Sequence, residues 1–138
     1  MDKLALVLLG LAWGAQIVRR PLFGRYVRLL YVLSIVAVFG FALYLSWSQY
    51  RAWISSDIGK FFLPPYQSAW YYVSYIGSRY LAPPLIALVS AFALSRACFV
   101  LNRRFGERFF EEEETPVLAF AVFTIGYPGF LFYLPLML

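Results

Sequence analysis

The chain contains no histidine, one cysteine (Cys98) and only two aspartates, Asp2 and Asp57. Each scarcity removes a class of chemistry. Histidine is the usual general base near neutral pH and the usual metal ligand. Ser–His and Cys–His catalysis, histidine-held haem and histidine-bound zinc are therefore excluded. A single cysteine makes neither an internal disulfide nor a cysteine zinc site. Neither aspartate lies inside an apolar segment, which argues against an intramembrane aspartate dyad. Charge is also thin, at 14% of residues against about 25% in soluble domains.

What replaces charge is apolar and aromatic surface. Of 138 residues, 62% are hydrophobic and 21% aromatic, whereas soluble domains are about 45–50% apolar. Both departures point to lipid as solvent. One helical span needs about 20 apolar residues, so the composition predicts an all-α integral membrane protein. It would form a single transmembrane domain over residues 1–138, with about four transmembrane helices plus a short interfacial helix. The expected spans are about 4–18, 29–50, 80–101 and 116–138, with the interfacial helix at about 65–77. A net charge of +5 would suggest nucleic acid in a soluble chain. Here the arginines gather at the ends of apolar segments, where they serve topology and anionic lipid headgroups. Nucleic acid is not an expected partner.

Leu4 to Val18 is apolar apart from Gln16 and reads as a short first span. A signal peptide is the alternative, but Lys3 is balanced by Asp2 ahead of it and Arg19-Arg20 follows at once, which suits a retained helix end. Gly10 and Gly14 are spaced to admit a neighbouring helix, although glycine is common in membrane helices anyway. Pro21 and Gly24 are expected to break the helix within an arginine-rich connection, Arg19 to Arg28. The second span then ends in Trp47, Tyr50 and Trp53, rings suited to a headgroup boundary.

Beyond it, Pro64-Pro65 is expected to start a short helix that Gly77 ends. Gln67, Tyr71, Ser74 and Ser78 would form its narrow polar face, with Tyr66, Trp70 and Val73 opposite. A helix lying in the interface plane explains this pattern better than a tyrosine-lined substrate groove. Pro83-Pro84 opens the third span, in which Ala87, Ala91 and Ser95 form a small-residue stripe for close helix packing. Arg96 falls inside that span; it is either a functional charge or a side chain that snorkels to the boundary. Thr115 reads as the N-cap of the fourth span and Pro116 as its first residue. Gly126, Pro128 and Gly129 interrupt that span, as a kink or as the broken helix of a binding site.

The charged stretch from Arg103 to Glu114 holds eight of the nineteen charged residues. Were it one helix, Glu107, Glu111 and Glu114 would share a face, beside Arg104 and Arg108. Three carboxylates so placed could hold Mg2+ or Mn2+ or act as acid and base, with an arginine clamping a phosphate. Helix polarity opposes that arrangement. Glutamates at a helix C-terminus work against the dipole, while the same residues ahead of Pro116 favour the next N-terminus. The expectation is a turn near Gly106 or Phe110, with ordinary surface ion pairs, and neither a metal nor another cofactor. Ser56 and Lys60 are spaced for a Ser–Lys pair, but nothing in the sequence buries the lysine as that chemistry requires.

Counting basic residues sets the orientation. The first and third connections carry Arg19, Arg20, Arg25, Arg28, Arg103, Arg104 and Arg108, against Lys3, Arg51, Lys60 and Arg79 on the other side. That bias places the charged stretch in the cytoplasm and both termini outside. The leading expectation for function is a non-enzymatic subunit or accessory protein of a membrane assembly. Its partners would be the lipid bilayer and other membrane protein subunits or further copies of itself. Two alternatives stand beside it: an enzyme acting on a lipid-linked or phosphate-bearing substrate through the carboxylates, and a small oligomeric transporter with a broken last helix.

Overall fold

In a computed structural model, the described residues are Val7, Gly10, 20–106 and 114–132, with side chains from Tyr26 onward in the first long helix. They are all-helical, with no strand among them. Helix α1 spans Arg20–Ser55, and a 3-10 turn follows at Gly59–Phe62. Helix α2 covers Ala69–Ile76, a π-helical turn covers Gly77–Leu81, and α3 covers Ala82–Arg104. Helix α4 covers Glu114–Ile125. The expected first span lies outside the described residues apart from Val7 and Gly10, which are helical.

Two expected breaks are absent, for reasons the backbone supplies. Pro21 and Gly24 do not interrupt α1, which runs unbroken from Arg20. Pro21 is accommodated because its fixed φ of about −65° is that of helical backbone. Gly24 costs only about 1 kcal/mol in a helix interior, little against a helix of 36 residues.

Nor does Gly77 end the next helix. It adopts right-handed helical angles, and Ala82 N–H reaches back five residues to its carbonyl. The resulting π turn sits immediately ahead of Pro83-Pro84. A proline inside a helix leaves the carbonyl four residues earlier without a donor and presses its ring against it. The widened turn relieves both strains, so Ala69–Arg104 forms one long helical rod.

Pro64-Pro65 starts no helix either. It lies in a turn, joined by a cis peptide bond, and α2 begins only at Ala69. At the other end, the helix already includes Glu114, so Thr115 sits within its first turn rather than capping it.

Helix α4 packs against both α3 and α1. Ala87 and Ala91 of α3 meet Ala119, Val122 and Phe123 of α4, joined by Phe130 beyond it. Ala87, Ala91 and the half-buried Ser95 are the anticipated small-residue stripe, and its alanines give α4 its close approach. From α1, Tyr31, Ile35, Val38 and Phe39 close over the cluster. Tyr31 meets Phe123 edge to face at 5.8 Å.

Hydroxyls in this apolar interior turn back on their own helices. Ser34 donates to the Leu30 carbonyl at 2.8 Å, Ser46 to Ala42 at 2.7 Å and Thr124 to Phe120 at 2.7 Å. Such bonds satisfy the side chain without any partner on another helix.

Candidate functional site

Three places in the fold carry groups that could act: the charged end of α3, the interruption after α4, and an aromatic cluster at the opposite end of the bundle.

Helix α3 stops at Arg104. Phe105 still donates to the Leu101 carbonyl at 3.0 Å, and Gly106 then turns out of the helix at φ +69°. A left-handed residue after a helix is the usual terminator, and glycine takes it without steric cost. The anticipated turn at Gly106 is therefore present. The continuous helix on which three glutamates would share a face ends before the first of them. Glu107, Arg108 and Glu111 lie outside the described residues. Glu114 stands exposed in the first turn of α4, where a negative charge complements the helix dipole. Arg103 and Arg104 are exposed in the last turn of α3, and Arg96 is exposed two turns earlier. The Arg96 guanidinium carbon lies 5.6 Å from the Phe92 ring centroid. No group of three His, Cys, Asp or Glu residues among the described ones is arranged to hold a metal.

After Ile125 the chain leaves the helix. Gly126 takes φ +73°, Tyr127–Gly129 form a turn with a cis bond before Pro128, and a helical turn resumes at Phe130. Four backbone bonds hold the turn: Gly126 N–H to the Val122 carbonyl, Phe130 to Gly126, Leu131 to Pro128 and Phe132 to Gly129. A Cβ on Gly129 would stand 2.9 Å from Ile125 Cγ2 and 3.3 Å from the Ile125 carbonyl oxygen. Glycine is thus required at both positions, at Gly126 by angle and at Gly129 by space. The turn lies directly against the buried cluster, since Phe130 is part of it.

The aromatic cluster is organised around Trp53 near the end of α1. Its ring lies 5.5 Å from Phe62, 6.4 Å from Tyr71, 5.6 Å from Tyr72 and 5.0 Å from Tyr75. Two hydroxyls fix the rod to α1. Tyr72 Oη donates to the Ser46 carbonyl at 2.7 Å, and Tyr80 Oη donates to Gln49 Oε1 at 3.0 Å. The expected polar face breaks up here. Gln67 lies in the turn before α2, Tyr71 stacks on Trp53 and Phe62, and Ser78 belongs to the π turn. Trp70, Tyr66, Phe61 and Ile58 instead point outward, beyond the stacked rings. The signal for this assembly was present in the eleven aromatic residues between Trp47 and Tyr80. Reading Trp47, Tyr50 and Trp53 as boundary rings, and Tyr71 and Trp70 as opposite faces of a separate helix, hid their clustering.

Ser56 and Lys60 do not pair. Ser56 Oγ accepts the Gly59 N–H at 3.2 Å, and Lys60 Nζ lies 3.1 Å from Asp57 Oδ1 at the surface. The serine shapes a turn, and the lysine is solvated. No protein-family model matches this chain, and no curated protein or solved structure shows significant similarity to it.

Proposed function

We propose that the chain is a multi-pass α-helical membrane protein that serves as a non-enzymatic subunit or accessory protein of a membrane assembly. The observation that carries this reading is the direction in which the long helices present their apolar side chains. Tyr26–Ser55 and Ala69–Arg104 are both long and apolar enough to cross a bilayer. Only 11% and 22% of their most apolar windows are buried inside the molecule. The core helix of a water-soluble protein hides most of such a window. Here Leu29, Leu33, Val36, Leu43, Val89 and Phe92 are more than half exposed. Contiguous apolar surface on this scale belongs against lipid or another protein.

Lengths and end groups agree with a bilayer. The uncharged run from Leu29 to Tyr50 covers about 33 Å of helix, close to the hydrocarbon thickness of about 30 Å. Arginines stand at one end of α1 and α3, and the aromatic cluster at the other, the two anchors expected at membrane boundaries. The orientation that follows puts the Arg103–Glu114 connector in the cytoplasm and both termini outside. The subunit role rests on the outward apolar faces, on Gly40 among them with open space before its backbone, and on a charged connector suited to docking. Purification from native membranes in mild detergent tests it. The expected species is a complex heavier than the 15.9 kDa chain with its detergent; a chain that sediments only as a free monomer contradicts the role.

A second reading draws on the turn at Gly126–Gly129. An unwound segment against a buried apolar cluster is the arrangement by which membrane transporters expose backbone carbonyls to ions. Under this reading the protein is a small oligomeric transporter, and Pro128→Ala alters ion flux in liposomes. Flux that is absent, or unchanged by the substitution, removes it.

A further inference from the structure

The turn that joins α1 to α2 carries large apolar side chains that the aromatic cluster leaves uncovered. Ile58 and Trp70 are each 73% exposed, and Phe61 and Tyr66 are more than half exposed. Phe61 and Tyr66 meet ring to ring at 4.9 Å. Gly59 and Leu63, between them in sequence, are buried. This tip thus has an inner side packed on α1 and an outer side of rings, with Asp57, Lys60 and Gln67 exposed among them.

Direct contacts fix the height of the tip along α1. A Cβ on Gly59 would stand 2.7 Å from the Trp53 carbonyl oxygen, so the 3-10 turn is folded back beside the helix. The Phe62 ring lies 5.5 Å and the Tyr71 ring 6.4 Å from the Trp53 ring, which holds their neighbours Phe61 and Trp70 close to the same level. Trp53 follows Tyr50, the last residue of the uncharged run, by about 4–5 Å of helix rise. Under the membrane reading that run ends at the hydrocarbon boundary. The headgroup layer outside it is about 5–8 Å deep, so the tip falls within the layer.

The charge at this end names the occupant. Between Arg28 and Arg96 the charged residues are Arg51, Asp57, Lys60 and Arg79, and all four are exposed. Lys60 lies 3.1 Å from Asp57, so Arg51 and Arg79 leave the end positive. Arg51 is the first residue beyond the uncharged run, and Arg79 stands in the π turn of the rod. We propose that the tip docks the headgroup layer of an anionic bilayer, with Ile58, Phe61, Tyr66 and Trp70 seated in it and Arg51 and Arg79 at its phosphates. Tyrosine and tryptophan suit a layer that is apolar on one side and wet on the other, and basic side chains are drawn to anionic lipid at that depth. The proposal rests on the membrane reading and adds to it the surface by which the chain holds its depth. It also moves the interfacial role from a separate helix to the turn.

The test uses the full chain in a Cys98→Ala background, reconstituted in vesicles of phosphatidylcholine and phosphatidylglycerol. A bimane dye is attached to a cysteine at Ile58, at Trp70 or, as the bilayer reference, at Val36. All three positions are exposed, so the labels leave the packed cluster intact. Lipids spin-labelled near the headgroup should quench the two tip dyes more than lipids spin-labelled at mid-chain, and the Val36 dye in the reverse order. Spin-labelled phosphatidylglycerol should quench the tip dyes about twofold to fivefold more than the same fraction of spin-labelled phosphatidylcholine, from the attraction of basic side chains to an anionic surface. Arg51→Gln with Arg79→Gln should remove that excess. Tip dyes that aqueous iodide quenches as freely as the free dye lie in water and overturn the proposal. Tip dyes shielded from both lipid and iodide have a protein as occupant and overturn it too. So does an anionic excess that is absent or that survives the double substitution. In each of these cases a Val36 dye still quenched from mid-chain leaves the membrane reading standing. A Val36 dye quenched by iodide and not by lipid removes both.

Discussion

Single atoms decide much at the aromatic end. Gly59 is pressed against α1 so closely that a Cβ would stand 2.7 Å from the Trp53 carbonyl oxygen and 2.8 Å from its Cα. Backbone cannot yield as a flexible side chain would. Gly59→Ala should therefore destabilise the fold by about 1–3 kcal/mol, the usual cost of overpacking, as measured by denaturant titration in detergent. Tyrosine hydroxyls separate in the same assay. Tyr72→Phe removes the donor to the Ser46 carbonyl and should cost about 1 kcal/mol. Tyr71 uses its ring, stacked on Trp53 and Phe62, and Tyr71→Phe should be nearly neutral. Equal losses for the two would show that the Ser46 bond adds no stability of its own.

At the scale of the element, the interruption after α4 is held by two glycines for different reasons. Gly126→Ala places a side chain in left-handed backbone and should cost about 1–2 kcal/mol. Gly129→Ala meets Ile125 Cγ2, and Ile125→Leu, which removes that β-branch methyl, should recover part of the loss. Rescue of Gly126→Ala by the same change would contradict the distinction. The elements also show which parts of the fold were legible beforehand. Small residues at Ala87, Ala91 and Ser95 announced a helix contact because spacing along one helix suffices to define its face. The turn at Gly106 was legible for the same local reason. Pro21, Gly24 and Gly77 misled as stop signals because their effect depends on backbone context: a long helix tolerates an isolated glycine, and a π turn carries the chain on past Gly77 in helical form. The aromatic cluster was hidden because it joins Trp53 to Phe62, Tyr71, Tyr72 and Tyr75 through packing between elements, which helical periodicity does not encode. Most of the candidate carboxylate site falls outside the described residues, so its spacing argument ends with the helix at Arg104.

For the molecule as a whole, α1 and the Ala69–Arg104 rod have one apolar side against α4 and another facing out, so hydrophobicity runs nearly all round each helix. That pattern belongs to membrane spans or to the deep core of large proteins, and the exposure of Leu33, Val36, Leu43 and Val89 favours the first. The proposed orientation places Arg28, Arg103 and Arg104 on the cytoplasmic side. A cysteine placed at Gly106 in a Cys98→Ala background should react with impermeant thiol reagents only after the cytoplasmic side is opened; labelling from outside in intact cells would reverse the topology. The most direct test of membrane embedding is spin-label accessibility along both helices in reconstituted bilayers. Labels at Val36, Leu43 and Val89 should collide freely with oxygen, which concentrates in lipid, and not with a water-soluble nickel chelate, while labels at Val38 and Ala91 should be shielded from both. Nickel collisions at Val36, Leu43 and Val89 as frequent as at the exposed turn residue Asp57 would place those faces in water and contradict the account.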